Sequence, residues 1–152
     1  MKDFKEILFI LLRFLGIWLV LFLMYQLFLN QYKGDIDAIT RFVSDQSAFL
    51  LNKTGFETTT KDFPYYETIM FYIKEKPATR MVEGCNAVSV MILFLAFIFA
   101  FYKGIKTIWF ALVGLVILYV LNLFRIYVLN VVVIEYNSLT KPAHDYFFPA
   151  II

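Results

Sequence analysis

The sequence predicts an all-α membrane protein: a multi-span helical bundle with three complete spans, the start of a fourth, and a small extracytoplasmic segment. Three observations carry this. Of the 152 residues, 61% are hydrophobic and 17% charged, where a soluble domain is roughly half apolar and a quarter charged. The apolar residues are clustered: residues 86–102 and 107–124 carry no charge, and 7–29 carries one, Arg13. Each run approaches the ~20 residues that a helix needs to cross a bilayer.

Taken in order, the spans fall at about 7–29, 84–102 and 107–131. Periodicity cannot assign a uniformly apolar run, but length can, and these runs are too long for strands. A barrel would need many short alternating segments. The first run is longer than a signal-peptide core, and no A-x-A-like site follows it, so it is expected to be retained. Residues 144–152 open a fourth apolar run too short to cross, and the native chain is expected to continue past Ile152. The whole of 1–152 reads as a single integral membrane domain.

Positive charge in short loops marks the cytoplasmic side. Lys2, Lys5 and Arg13 lie at the start of the first run, and Lys103 and Lys106 lie between the second and third. Two crossings separate these sites, so they agree. Segment 30–83 and the loop near 135–143 are then outside. Tyr32, Tyr65, Tyr66, Tyr102 and Trp109 fall near the expected interfaces.

Within 30–83, Ile36, Ile39, Phe42, Val43, Ala48 and Leu50 alternate with Asp35, Asp37, Arg41, Asp45 and Gln46. This pattern predicts an amphipathic helix over 35–51, suited to a membrane surface. Asn52-Lys53-Thr54-Gly55 is its stop. The same Asn52-Lys53-Thr54 fits the glycosylation sequon, as do many unmodified sites. Residues 67–73 are β-prone, Lys74-Glu75-Lys76-Pro77 reads as a turn, and 78–82 returns as a second strand of a hairpin.

Three residues stand out for chemistry. Arg125 lies in an apolar helix about 18 residues past Thr107, so roughly 27 Å from the inner face. There it must snorkel or face a polar cavity. Asn122, three residues earlier, shares its face. Cys85 is the sole cysteine and opens the second span at its outer end. A helix amino terminus and nearby cations favour a thiolate, though most lone cysteines are passive apolar groups. The single cysteine excludes an intrachain disulfide and a multi-cysteine metal site, and no cofactor motif is present. His144, the sole histidine, begins the last run, again at the outer face. Cys, His and Arg at one level on three helices suit acyl transfer: a nucleophile, its acid/base and an oxyanion donor. Net charge is +2, and no general nucleic-acid surface is implied.

The ordered trio resembles the exosortase and archaeosortase family of integral membrane enzymes, most closely its short bacterial, exosortase F-like members. The resemblance rests on Glu83-Gly84-Cys85-Asn86-Ala87-Val88-Ser89, Asn122-Leu123-Phe124-Arg125-Ile126 and His144-Asp145-Tyr146-Phe147-Phe148. It covers about residues 80 to 150. Asn86-Ala87 departs from the commoner Ser-Gly after the cysteine, which bears on the local turn and on substrate preference.

The resemblance implies sortase-like chemistry on a different fold. Cys85 would be the nucleophile, Arg125 the oxyanion donor and His144 the general acid/base, with Asn122, Glu83 and Asn86 in support. The implied partners are a membrane-anchored protein with a C-terminal sorting tail and an envelope acceptor, at the outer face of the bacterial cytoplasmic membrane. Two rival readings compete. In one, the chain is a non-catalytic subunit or assembly factor of an envelope complex, with Arg125 paired to Glu83 or a partner. In the other it is a small transporter, against which no broken pair of spans appears.

Overall fold

The computed structural model describes residues 2–135, with side chains from Phe4 onward. The start of the expected fourth span and His144 lie outside the described residues. In chain order the elements are α1 (Lys2–Asn30), α2 (Ala38–Lys53), β1 (Thr58–Phe63), β2 (Thr68–Ile73), β3 (Lys76–Met81), α3 (Val88–Ala100) and α4 (Ile105–Glu135). Single 3-10 turns stand at Pro64–Tyr66 and Glu83–Cys85. The described chain divides into two compact units, one of residues 2–31 and 87–119, the other of 32–86 and 120–135.

The first unit is apolar on its outside. Phe9, Leu12 and Leu27 on α1 and Trp109, Phe110 and Val116 on α4 are all exposed. A helix that satisfies its own backbone and presents such side chains suits hydrocarbon rather than water. At the contacts the side chains shrink. Ala96, Ala100 and Ala111 are buried, and a Cβ at Gly114 would overlap the Phe94 ring. Small residues of this kind let helices approach closely.

Among the described residues, two helices are long and apolar enough to cross a membrane, α1 and α4. The span expected at 84–102 is therefore corrected. Regular helix there covers 13 residues, about 20 Å, short of the ~30 Å hydrocarbon core. The cause is local. Ala87 adopts φ +62°, a left-handed conformation that an α-helix cannot continue through, so α3 starts only at Val88.

The second unit corrects the all-α expectation. It holds a three-stranded antiparallel sheet in the order β1-β2-β3. The expected hairpin is β2–β3, turning at Lys74-Glu75 with φ +50° and +64°, the conformation that two-residue hairpins require. β1 is a third strand beyond that hairpin. Alternate residues Ile69, Phe71 and Ile73 of β2 are each no more than 1% exposed and form the apolar face.

Helix α2 packs on that sheet, with Val43 and Leu51 buried and the Ser44 hydroxyl donating to Met81 Sδ at 3.0 Å. Its buried stripe thus meets protein rather than a membrane surface, while Phe42 and Phe49 stay outside. Asp37 caps α2 by accepting from the N–H groups of Ile39 and Thr40. Its end falls at the predicted stop, with Thr54 as cap and Gly55 at φ +91°. Asn52 then clamps the start of β1: its Nδ2 donates to Thr58 O at 2.9 Å, and its Oδ1 accepts from Thr58 N at 2.8 Å. The sequon nitrogen is thereby engaged in the fold. Arg41 pairs with Asp62 at 2.5 Å across α2 and β1, and Glu67 Oε1 accepts from Gly34 N at 2.8 Å.

This packing separates two neighbouring large side chains. Leu51 is 0% exposed and Phe49 67%. Leu51→Ala is expected to destabilise the protein by about 2–5 kcal/mol, through lost burial and a cavity. Phe49→Ala is expected to cost no more than about 0.5 kcal/mol. Unfolding in detergent, followed by circular dichroism, measures both. Equal losses would mean that α2 presents a different face to the sheet.

Candidate active site

β3 delivers the chain to the cysteine. Past Met81 the backbone stays extended at Val82, then closes the turn Glu83–Cys85, with Cys85 N donating to Val82 O at 2.8 Å. Asn86 N follows, donating to Glu83 O at 3.2 Å. Cys85 therefore closes a 3-10 turn and does not open a span, which corrects its expected place at a helix amino terminus. The left-handed Ala87 separates it from α3.

Two buried amides hold this turn. Asn122, on α4 and 5% exposed, donates from Nδ2 to the Cys85 carbonyl at 3.0 Å. Asn86, 2% exposed, donates from Nδ2 to Thr40 Oγ1 on α2 at 3.2 Å. The cysteine backbone is thus tethered to one helix, and the residue after it to another. Cys85 itself is half-buried. Glu83 lies at the surface. Partial desolvation, with the charges of Asp37 and Glu67 adding to it, nonetheless holds its carboxyl above the ordinary carboxylate range.

Arg125 follows Asn122 by three residues and is half-buried. It lines one pocket together with Cys85, Phe71, Thr79, Arg80 and Met81, and Ile126 and Leu129 of α4 contribute the rest of the wall. Asn130, also on α4 and 0% exposed, was missed by sequence reasoning, as was its partner. Its Oδ1 accepts from Thr79 Oγ1 at 2.7 Å, and its Nδ2 donates to Ile126 O at 2.9 Å. A signal was available: Asn130 stands eight residues after Asn122, on the same helix face, in an otherwise apolar stretch.

The structure thus brings Cys85 and Arg125 to one pocket, with Asn122 bonded directly to the cysteine backbone. Asn86 and Glu83 belong to the same turn, and His144 lies outside the described residues. Among the described residues no cluster of three or more His, Cys, Asp or Glu could hold a metal ion. A thiol and a guanidinium on one pocket wall can supply a nucleophile and a donor for the negative charge that its attack creates.

The family model described as transmembrane exosortase (Exosortase_EpsH) matches residues 5–147. No curated protein and no solved structure matches the chain. The match runs through all three positions singled out in the sequence, Cys85, Arg125 and His144. Together with the two long apolar helices it identifies a membrane protein. The chain belongs to the transmembrane exosortase family.

Proposed function

We propose that this protein is a membrane cysteine protease and transpeptidase that cuts C-terminal sorting tails of exported proteins and passes them to an envelope acceptor. The carrying observation is that Cys85 and Arg125 line one pocket while Asn122, from the same helix as Arg125, holds the Cys85 carbonyl. Membership of the family supports the same reading.

The Cys85 thiolate attacks the carbonyl carbon of the scissile peptide, and the negative charge passes to the carbonyl oxygen. The Arg125 guanidinium donates hydrogen bonds to that oxyanion. When the tetrahedral species collapses, the C–N bond breaks, and His144 gives a proton to the departing amine. A thioester on Cys85 remains. His144 then takes the proton of an acceptor nucleophile or of water, whose attack releases the cleaved protein and expels the Cys85 thiolate, returning the pair to its starting state. The substrate tail, an apolar helix followed by a basic cluster, spans the bacterial cytoplasmic membrane with its basic end inside. Its scissile bond is then held at the outer face.

Charge alone does not satisfy this role for Arg125. Arginine presents a planar fork of donors, whereas lysine offers a compact, strongly hydrated point charge. Arg125→Lys is therefore expected to lower processing by about 10²–10³, the usual cost of an oxyanion donor. Cys85→Ala and His144→Ala are expected to abolish it. Arg41→Lys alters an exposed ion pair worth roughly 0–1 kcal/mol and is expected to process at near the native rate. Substrate processing in cells, at matched protein levels, measures all four. Normal processing by Cys85→Ala would remove the thioester and favour a non-catalytic subunit.

The sidedness has its own test. A cysteine placed at Lys53 in the Cys85→Ala background is expected to react with a membrane-impermeant maleimide in intact cells. Reaction only after permeabilisation would put α2 and the sheet inside and defeat an outward-facing site.

A further inference from the structure

We propose that the substrate segment ahead of the scissile bond binds as an extended strand added to the free edge of β3, with the Arg80 backbone as its hydrogen-bonding partner. The proposal rests on the reading of Cys85 and Arg125 as the reacting groups.

The edge is open. β3 pairs with β2 on one side and ends the sheet order on the other. Among the described residues, no backbone hydrogen bond outside that pairing involves β3. An edge strand in this state is a template for an incoming chain.

The register shows which groups are free. The two-residue turn Lys74-Glu75 makes Ile73 and Lys76 the closing hydrogen-bonded pair. In an antiparallel ladder such pairs alternate with pairs whose backbone groups point away from each other. Tyr72 and Pro77 form the next pair, of the second kind, so the missing N–H of Pro77 costs the ladder nothing. A bulge then sets two residues, Ala78 and Thr79, against Phe71. Met70 and Arg80 follow as a second outward-pointing pair. The Arg80 N–H and C=O therefore face the free edge.

The candidate site borders β3. Thr79, Arg80 and Met81 are consecutive and all line it. Phe71 of the neighbouring strand lines it as well, and side chains two apart share a face, so the pocket lies against the β2–β3 face and reaches β3 at Arg80. The same pocket contains Cys85 and Arg125. A peptide paired with β3 at Arg80 thus lies beside the pocket that holds both reacting groups. Backbone pairing supplies affinity without reading side chains, and alternate substrate residues face the pocket walls.

Proline at position 80 removes the proposed donor while leaving the β2 ladder whole, as Pro77 already does. Arg80→Ala sets the baseline for loss of the side chain. Processing by Arg80→Pro of a membrane substrate with a C-terminal apolar helix and basic cluster is expected to fall about tenfold or more below that baseline, as loss of paired backbone bonds implies. Equal processing by the two variants would overturn the proposal, while a dead Cys85→Ala beside it would leave the nucleophile reading intact.

A second measurement stands whatever Arg80→Pro does to folding. In the Cys85→Ala background, Ala78→Cys is oxidised against single cysteines walked through the substrate segment ahead of its apolar helix. Cross-linking at every second substrate position is the expected result. Cross-linking without a period of two, or none at all, would overturn strand addition.

Discussion

An amide buried in an apolar helix must find a partner for each of its polar atoms or destabilise the fold. The second half of α4 meets this demand twice on one face. Asn122 reaches the carbonyl of Cys85, and eight residues later Asn130 reaches Thr79 of β3. Neither bond is local. Each fastens the helix to a part of the chain that precedes it by tens of residues, and between the two stands Arg125. The position of the guanidinium relative to the thiol is thus set by two hydrogen bonds whose loss would leave unpaired buried groups. That penalty exceeds what the bonds contribute when made, which makes the arrangement hard to loosen by degrees.

The proposed reacting residues also share a compositional setting. Cys85, Asn122 and Arg125 all belong to the unit that contains the sheet, whose core mixes apolar side chains with buried threonines, serines and asparagines. The long helices of the other unit carry almost uniform hydrocarbon on their outer surface. Acyl transfer needs a polar acceptor and proton movement, both of which are costly inside a bilayer. A pocket that sets Thr79, Arg80 and Arg125 among the apolar Phe71, Met81, Ile126 and Leu129 is compatible with that chemistry, where an all-apolar bundle interior would not be.

Much of this was written in the sequence, and the exceptions have physical causes. The stop of α2 within Asn52–Gly55 and a turn within Lys74–Pro77 were legible because residues such as Gly and Pro interrupt regular structure within a few positions. The cysteine and the Asn-x-x-Arg motif were legible because polar residues beside or within apolar runs are conspicuous. β1 was not, because five of its six residues are polar and its one buried residue, Thr58, gives no alternation to read. The length of α3 is not legible because hydropathy does not register a single left-handed residue, Ala87. The buried face of α2 is not legible because it includes Thr40, Ser44 and Ser47, which an apolar pattern cannot reveal. The pairing of Thr79 with Asn130 spans 51 residues, a separation that no window along the chain covers.

The polar strand β1 has a consequence for the chain while it is being made. Before α4 is complete, the β2–β3 hairpin carries Ile69, Phe71 and Ile73 as an apolar, β-branched and aromatic stretch of the kind that nucleates aggregation when an edge is exposed. β1 precedes it in the chain and pairs along the whole of β2, from Thr58 opposite Ile73 to Phe63 opposite Thr68. The outer edge that remains on that side carries Lys61 and Asp62, with Arg41 bound to Asp62, and charged side chains there oppose pairing with another chain. The nascent sheet is thus shielded along one edge by residues already synthesised, which limits mispairing between newly made copies to a single flank.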